Sequence, residues 1–86
     1  MVDVTVTIRD VLEAHGRLLV SLSDLSDDDE LFENGLTSHA SVNVMLAIED
    51  AFDVEFPDSL LTKSTFESIK AIRGALESMG VEAPSD

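Results

Sequence analysis

Eighty-six residues with eighteen acidic and five basic side chains give a formal net charge of −13, at 44% hydrophobic composition and with no cysteine. That size and composition fit one small folded domain, not a disordered chain. The charge argues against nucleic-acid binding and against adsorption to anionic membranes, both of which need clustered Lys and Arg. The missing thiols exclude disulfides, thiolate catalysis and Cys-based zinc sites.

Four Phe and no Trp or Tyr leave the core to Leu, Ile, Val, Met and Ala, as in a helical bundle with little room for a deep active site. Proteins with basic patches are the expected partners, met through an attraction that weakens as salt rises. No basic segment followed by a long apolar stretch opens the chain, and no run approaches the roughly 20 apolar residues of a membrane span. The expectation is a cytoplasmic monomer.

Val6, Ile8, Val11 and Leu12 recur at helical spacing, with Thr5 or Thr7 as a cap and Gly16 as a stop. They predict a first helix over about Thr5 to His15. Residues 16 to 37 read as a long connection tethered by Leu18, Leu19, Leu22 and Leu25, because a long loop in a small domain needs apolar anchors. Asp29 to Phe32 adds a short turn of helix.

A second helix is expected from Ser38 to Phe52, with Ser38 in the N-cap position, where a serine oxygen satisfies an orphan N–H. Pro57 cannot continue a helix and marks the next corner. Leu60 and Leu61 suggest a short third helical segment that plugs the core. The last helix is expected over about Thr65 to Met79, capped by Ser64 or Thr65 and closed by Gly80. Its inward face would be Phe66, Ile69, Ile72 (or the stem of Arg73) and Leu76. Gly74, in mid-helix, suggests a close backbone contact. The core therefore spans about residues 5 to 79 of a single domain covering 1–86, with residues 81 to 86 frayed. Val2 to Thr7 alternates weakly but reads as a helix start.

At about 100° per residue, Val44, Met45, Ile48 and Phe52 share one arc of the second helix, with Ala51 at its edge. Val42 and Leu46 fall outside that arc, on the side of His39, Asn43, Glu49 and Asp50. Two aliphatic side chains ringed by polar and acidic groups, one and two turns past Ser38, make a small recognition patch.

Other motifs fail. Counting from Asp24 as the first position of a calcium loop, the sixth residue is Asp29 where glycine is needed, and the twelfth is Gly35 where glutamate is needed. A solvated acidic turn is the better reading. His15 and His39 have no metal-pair spacing. Ser38 and His39 are helix neighbours whose side chains diverge, so they make no nucleophile–base dyad. The chain reads as a non-enzyme with no metal site and no catalytic residues.

What remains is a hydroxyl at the mouth of an amphipathic helix in an acidic setting: eleven Asp and Glu, and no Lys or Arg, lie between Arg17 and Lys63. The ordered set Asp29-Glu30-Leu31-Phe32-Glu33-Asn34-Gly35-Leu36, then Ser38, then Ser41 to Phe52, Asp53 to Asp58 and Phe66-Glu67-Ser68-Ile69 resembles an acyl carrier protein over about Thr5 to Met79. The resemblance implies an all-α, four-helix bundle with a long loop between helices 1 and 2 and a short third helix. It implies that Ser38 receives 4'-phosphopantetheine from coenzyme A through a phosphopantetheinyl transferase, and that the arm's thiol carries cargo as a thioester. An anionic phosphodiester suits the positive end of the second helix, and Gly35 lets the backbone turn sharply. Where the family has aspartate before the serine and leucine after it, this chain has Thr37 and His39.

Gly-Leu-Thr-Ser-His-Ala-Ser-Val, continued by Met45 to Asp53 and by Phe56-Pro57-Asp58, looks most like the small bacterial aminoacyl carrier proteins. Their loaders are amino acid:carrier protein ligases, relatives of a class II seryl-tRNA synthetase core that activate glycine or alanine with ATP. By that likeness the cargo is an activated amino acid. Thr37, His39, Val42, Asn43, Leu46, Glu49 and Asp50 would meet partners. The alternatives are an acyl carrier for fatty-acid or modified-lipid synthesis, a peptidyl carrier, and, from another class, an unmodified acidic helical adaptor.

Overall fold

The computed structural model describes residues 4–81. Helix α1 (Val4–Val11) runs without a break into a wider π-helical turn over Leu12–Gly16, so one rod spans the expected stretch. It stops where expected, at Gly16, and Arg17 takes a left-handed conformation, φ 53° and ψ 44°. The buried face is Val4, Ile8, Val11 and Leu12, a stripe at i, i+4, i+7 and i+8. Val6 does not belong to it and is half exposed, because two residues before Ile8 is about 200° around the helix. Thr5 and Thr7 lie inside the helix and do not cap it; Val2 and Asp3 fall outside the described residues.

The long connection is held at both edges. Leu25, Leu31 and Leu36 are buried, and Leu18 and Leu22 pack against the core they belong to. Leu19, expected as an anchor, is instead 84% exposed. Its backbone is what the fold uses, since the Leu19 N–H donates to the Asn34 carbonyl at 2.9 Å. The turn expected at 29–32 lies slightly later, as a 3-10 turn over Phe32–Asn34, after a first one at Leu22–Asp24.

Polar ties complete the anchoring. The Arg9 guanidinium donates to the Leu22 carbonyl (2.8 Å), the Leu25 carbonyl (2.8 Å) and the Asp27 carboxylate (2.9 Å). The Lys70 N–H donates to the Asp27 carbonyl, and the Leu31 N–H to the Glu67 carbonyl. In the acidic turn, the Asp29 carboxylate accepts the Ser26 N–H at 2.9 Å. No cluster of three or more metal-ligating side chains occurs among the described residues.

Helix α2 (Ser38–Phe52) has the expected bounds. Ala40, Val44 and Ile48 are buried, Met45 and Phe52 pack at the margins, and Val42 and Leu46 are half exposed. Asp53 closes the helix in a left-handed conformation, and the Glu49 carboxylate accepts the Phe56 N–H at 2.7 Å. That hydrogen bond brings Phe56 against Phe66, edge to face with centroids 5.5 Å apart.

Two 3-10 turns, Asp58–Leu60 and Lys63–Phe66, stand where a short third helix was expected. Leu60 packs on the core, but Leu61 lies between the two turns and is exposed. Helix α3 (Ile69–Ser78) starts later than expected. Its cap is Ser68, whose oxygen accepts the Ala71 N–H at 3.0 Å, while Ser64 and Thr65 belong to the preceding turn. Phe66, Ile69, Ile72 and Leu76 are buried as expected, joined by Ala75.

Gly74 is exposed, with nothing within 4 Å of where a Cβ would stand, so the close contact expected there is absent. Gly80 does take the left-handed position (φ 94°). The Gly80 N–H donates to the Glu77 carbonyl and the Val81 N–H to the Leu76 carbonyl, which together make a Schellman closure. Val81 is half-buried; the expected frayed tail beyond it lies outside the described residues. The architecture is an all-helical bundle of three α-helices, with no strand among the described residues and no helix long and apolar enough to cross a membrane.

Arg9 ties α1 to three points of the loop, and charge-assisted hydrogen bonds to partly buried acceptors matter more than a surface ion pair. Arg9→Ala is expected to lower the unfolding free energy by about 2 kcal/mol, read from urea denaturation. An unchanged midpoint would mean that the apolar anchors hold the loop by themselves.

Candidate functional site

The loop delivers Gly35 to Thr37 into the start of α2. Gly35 has φ 110°, and a Cβ there would stand 2.7 Å from the Leu19 backbone nitrogen and from Leu19 Cγ. Both the conformation and the close approach require glycine. Thr37 is extended (φ −101°, ψ 163°), and its side-chain oxygen accepts the Ala40 N–H at 3.0 Å. The cap is therefore Thr37 and not Ser38. Threonine does here what an aspartate would do, since both are good N-caps.

Ser38 thereby becomes the first helical residue, and its hydroxyl is left over. It is exposed and makes no side-chain hydrogen bond among the described residues. Neither His39 nor His15 bonds to it. Its carbonyl accepts the Ser41 hydroxyl at 2.7 Å. The first N–H of α2 bonded to a backbone carbonyl is that of Ser41, to Thr37. The Ser38 and His39 N–H groups precede it and point out of the positive helix end. No carboxylate stands in the first turn.

Two concavities flank this end. On one side Ser38, Ser41, Val42 and Met45 face Phe32, Leu61, Thr62, Lys63 and Phe66 across a groove of about 320 Å³. Lys63 Nζ lies 5.0 Å from the Phe32 ring centroid. On the other side His39, Ala40 and Asn43 share a notch of about 310 Å³ with Gly16, Arg17, Gly35 and Thr37. Val42 and Asn43, read from the sequence as one patch, thus belong to different concavities, with exposed Leu46 and Asp50 further along the helix. Glu49 is half-buried and one of its oxygens is committed to Phe56. The Phe32–Lys63–Phe66 wall was not read from the sequence; the one clue was Lys63, the first base after the acidic stretch.

A phosphate-linked arm fits these residues. The Ser38 hydroxyl is free, two unpaired N–H groups adjoin it, no carboxylate opposes an anion, and an open groove with an amine on its wall runs from it. Residues 3–76 match the family described as the phosphopantetheine attachment site. The chain belongs to that family. Phosphopantetheine is therefore its cofactor, and its relatives are carriers, a family that is generally not catalytic. An aminoacyl carrier protein of Agrobacterium fabrum is 46% identical over 71 residues, which are 83% of this chain and 86% of the relative.

Two solved complexes contain similar carriers. The carrier protein from Agrobacterium tumefaciens, complexed with an engineered Bradyrhizobium japonicum glycine:[carrier protein] ligase and ATP, superposes with a TM-score of 0.85 at 44% identity, covering 87% of this chain and 97% of that one. The complex of the Bradyrhizobium japonicum ligase with a glycylated carrier protein gives a TM-score of 0.72 at 28% identity, covering 84% and 96%. This carrier is thus a homologue of aminoacyl carrier proteins, as its residues around Ser38 suggested.

The cap and the free hydroxyl fall on adjacent residues, so substitutions separate them experimentally. Thr37→Ala is expected to cost about 1 kcal/mol of stability and Thr37→Asp close to nothing, measured by thermal unfolding. Equal stability of all three proteins would show that the Thr37–Ala40 hydrogen bond does not support the helix.

Proposed function

We propose that the protein carries an activated small amino acid, glycine or alanine, on an arm attached to Ser38. The observation that carries this reading is the unengaged Ser38 hydroxyl at the first position of α2, in a chain of this family. The arm, when bound, supplies a terminal thiol that holds the amino acid as a thioester. Everything else falls to the chain's own residues. Thr37 fixes the helix end, so the hydroxyl stays exposed to a modifying enzyme. The Ser38 and His39 N–H groups and the α2 dipole favour the phosphodiester.

In this reading the whole of residues 1–86 is one carrier domain, itself not an enzyme, that works in the cytoplasm as a monomer. Two enzymes act on it: a phosphopantetheinyl transferase that uses coenzyme A, and an ATP-dependent amino acid:carrier protein ligase. Thr37, His39, Val42, Asn43, Leu46, Glu49 and Asp50 form the surface they meet. The relatives' association with a glycine ligase supports this choice of loader. An acyl cargo is the second reading, favoured by the apolar lining that Phe32, Val42, Met45, Leu61 and Phe66 give the groove.

The test has two stages. Apo protein incubated with coenzyme A and a broad-specificity transferase is expected to gain one phosphopantetheinyl adduct by intact mass, and Ser38→Ala none. The holo protein with ATP, labelled glycine or alanine and the Bradyrhizobium ligase is then expected to gain the label in a hydroxylamine-labile bond. An adduct that survives Ser38→Ala refutes the site. Acylation by a fatty-acyl transferring enzyme without aminoacylation selects the second reading, and no adduct at all leaves the unmodified adaptor.

A further inference from the structure

The notch opposite the Ser38 groove is, with the groove wall that carries Lys63, a place near the site where the sign of the surface reverses. Its lining residues, Gly16, Arg17, Gly35, Thr37, His39, Ala40 and Asn43, include no carboxylate, in a chain that has eighteen. Four of the five basic side chains have a partner. Arg9 pairs with Asp27, Lys70 with Asp28 and Arg73 with Glu77, while Lys63 lies over the Phe32 ring. Arg17 has neither an ion pair nor a ring contact among the described residues.

Arg17 also sits in a conformation that suits it poorly. At φ 53° and ψ 44° a long side chain is strained where glycine would not be. The fold needs the turn there, but nothing in the fold needs the guanidinium. A strained residue whose side chain is unused internally points to a use outside the chain.

Beside it stands Leu19, 84% exposed yet held in place by its N–H bond to Asn34 and by its contact with Gly35. A partner that lands there finds an apolar side chain whose backbone is already ordered, which lowers the entropy lost on binding. The notch adjoins Thr37 and His39, the two residues flanking Ser38, so an enzyme that reaches the arm's root covers it.

We propose that this notch seats a carboxylate side chain on the docking face of the loading ligase, with Arg17 as its counter-ion and Leu19 as the apolar edge of the contact. The proposal rests on the loading reaction above. Most of the carrier attracts basic surface; this corner accepts an acidic group, and the two opposite signs together set the orientation in which the carrier docks.

The experiment uses full-length holo carriers, with the arm installed and verified by mass before any kinetics, so that attachment is already complete. Glycine loading by the Bradyrhizobium ligase is measured against carrier concentration for wild type, Arg17→Lys, Arg17→Gly and Arg17→Glu, with Tm recorded for each. Arg17→Gly is expected to keep or raise Tm, because strain is relieved, while the carrier KM rises about fivefold at unchanged kcat. Arg17→Glu should raise KM about tenfold or more at low salt, with the difference shrinking at about 0.5 M salt. Arg17→Lys should stay within about twofold of wild type.

Wild-type KM for both Arg17→Gly and Arg17→Glu, with robust loading of all proteins, overturns this inference and leaves the carrier reading standing. Failure of the wild-type holo protein to be loaded overturns the loading reading and this inference together. A KM rise for Arg17→Glu that salt does not diminish also counts against it, because it would not be electrostatic.

Discussion

The site depends on one guanidinium. Arg9, on α1, reaches across to two loop carbonyls and one carboxylate, and so fixes the middle of a connection that has no regular structure beyond two 3-10 turns. The loop in turn satisfies the start of α3: the Asp27 carbonyl takes the Lys70 N–H, and the Glu67 carbonyl takes the Leu31 N–H. Leu25, Leu31 and Leu36 fill the core beneath. Only with these ties does Gly35 arrive at α2 in a defined place, and only then does Thr37 cap the helix and leave the Ser38 hydroxyl without a hydrogen bond. An exposed serine is ordinary; this one is held at a helix start by an ordered approach.

Much of this was legible in the residues. The buried arc of α2 and its two outlying aliphatics follow from spacing alone, because a fifteen-residue helix gives periodicity enough turns to speak. Gly80 announced the left-handed closure of α3. Shorter features misled. Val6 shares α1 with the core residues but lies about 200° from Ile8 around the helix, and Leu19 is apolar like the loop's true anchors but exposed. Ser38, Ser64 and Thr65 all lie beside better-placed caps, and hydroxyl residues one to four positions apart cannot be ranked without knowing where the backbone turns extended. Gly74 had no packing reason at all, and nothing in the structure explains it.

The opposed walls at the α2 start were the least legible feature. Phe32, Lys63 and Phe66 come from segments about thirty residues apart, and no local pattern joins them. Their meeting is a tertiary fact, made by the Phe56–Phe66 contact and by the Glu49 carboxylate that holds Phe56. Arg17 and Leu19 likewise gain meaning only beside Gly35. A uniformly acidic composition therefore conceals a site with structure in its charge: acids along α2 and the loop, an amine on one wall of the serine groove, and a guanidinium in the notch behind it. Long-range attraction follows total charge, whereas orientation at close range responds to local exceptions of this kind.

The most direct test of the account is peptide-level mass spectrometry of the protein isolated from its own cells, under conditions that preserve thioesters. The account predicts a phosphopantetheine group on the peptide containing Ser38, part of it bearing a small amino acid that hydroxylamine removes. Protein that is bare at Ser38 in growing cells, or that carries the group elsewhere, would contradict it.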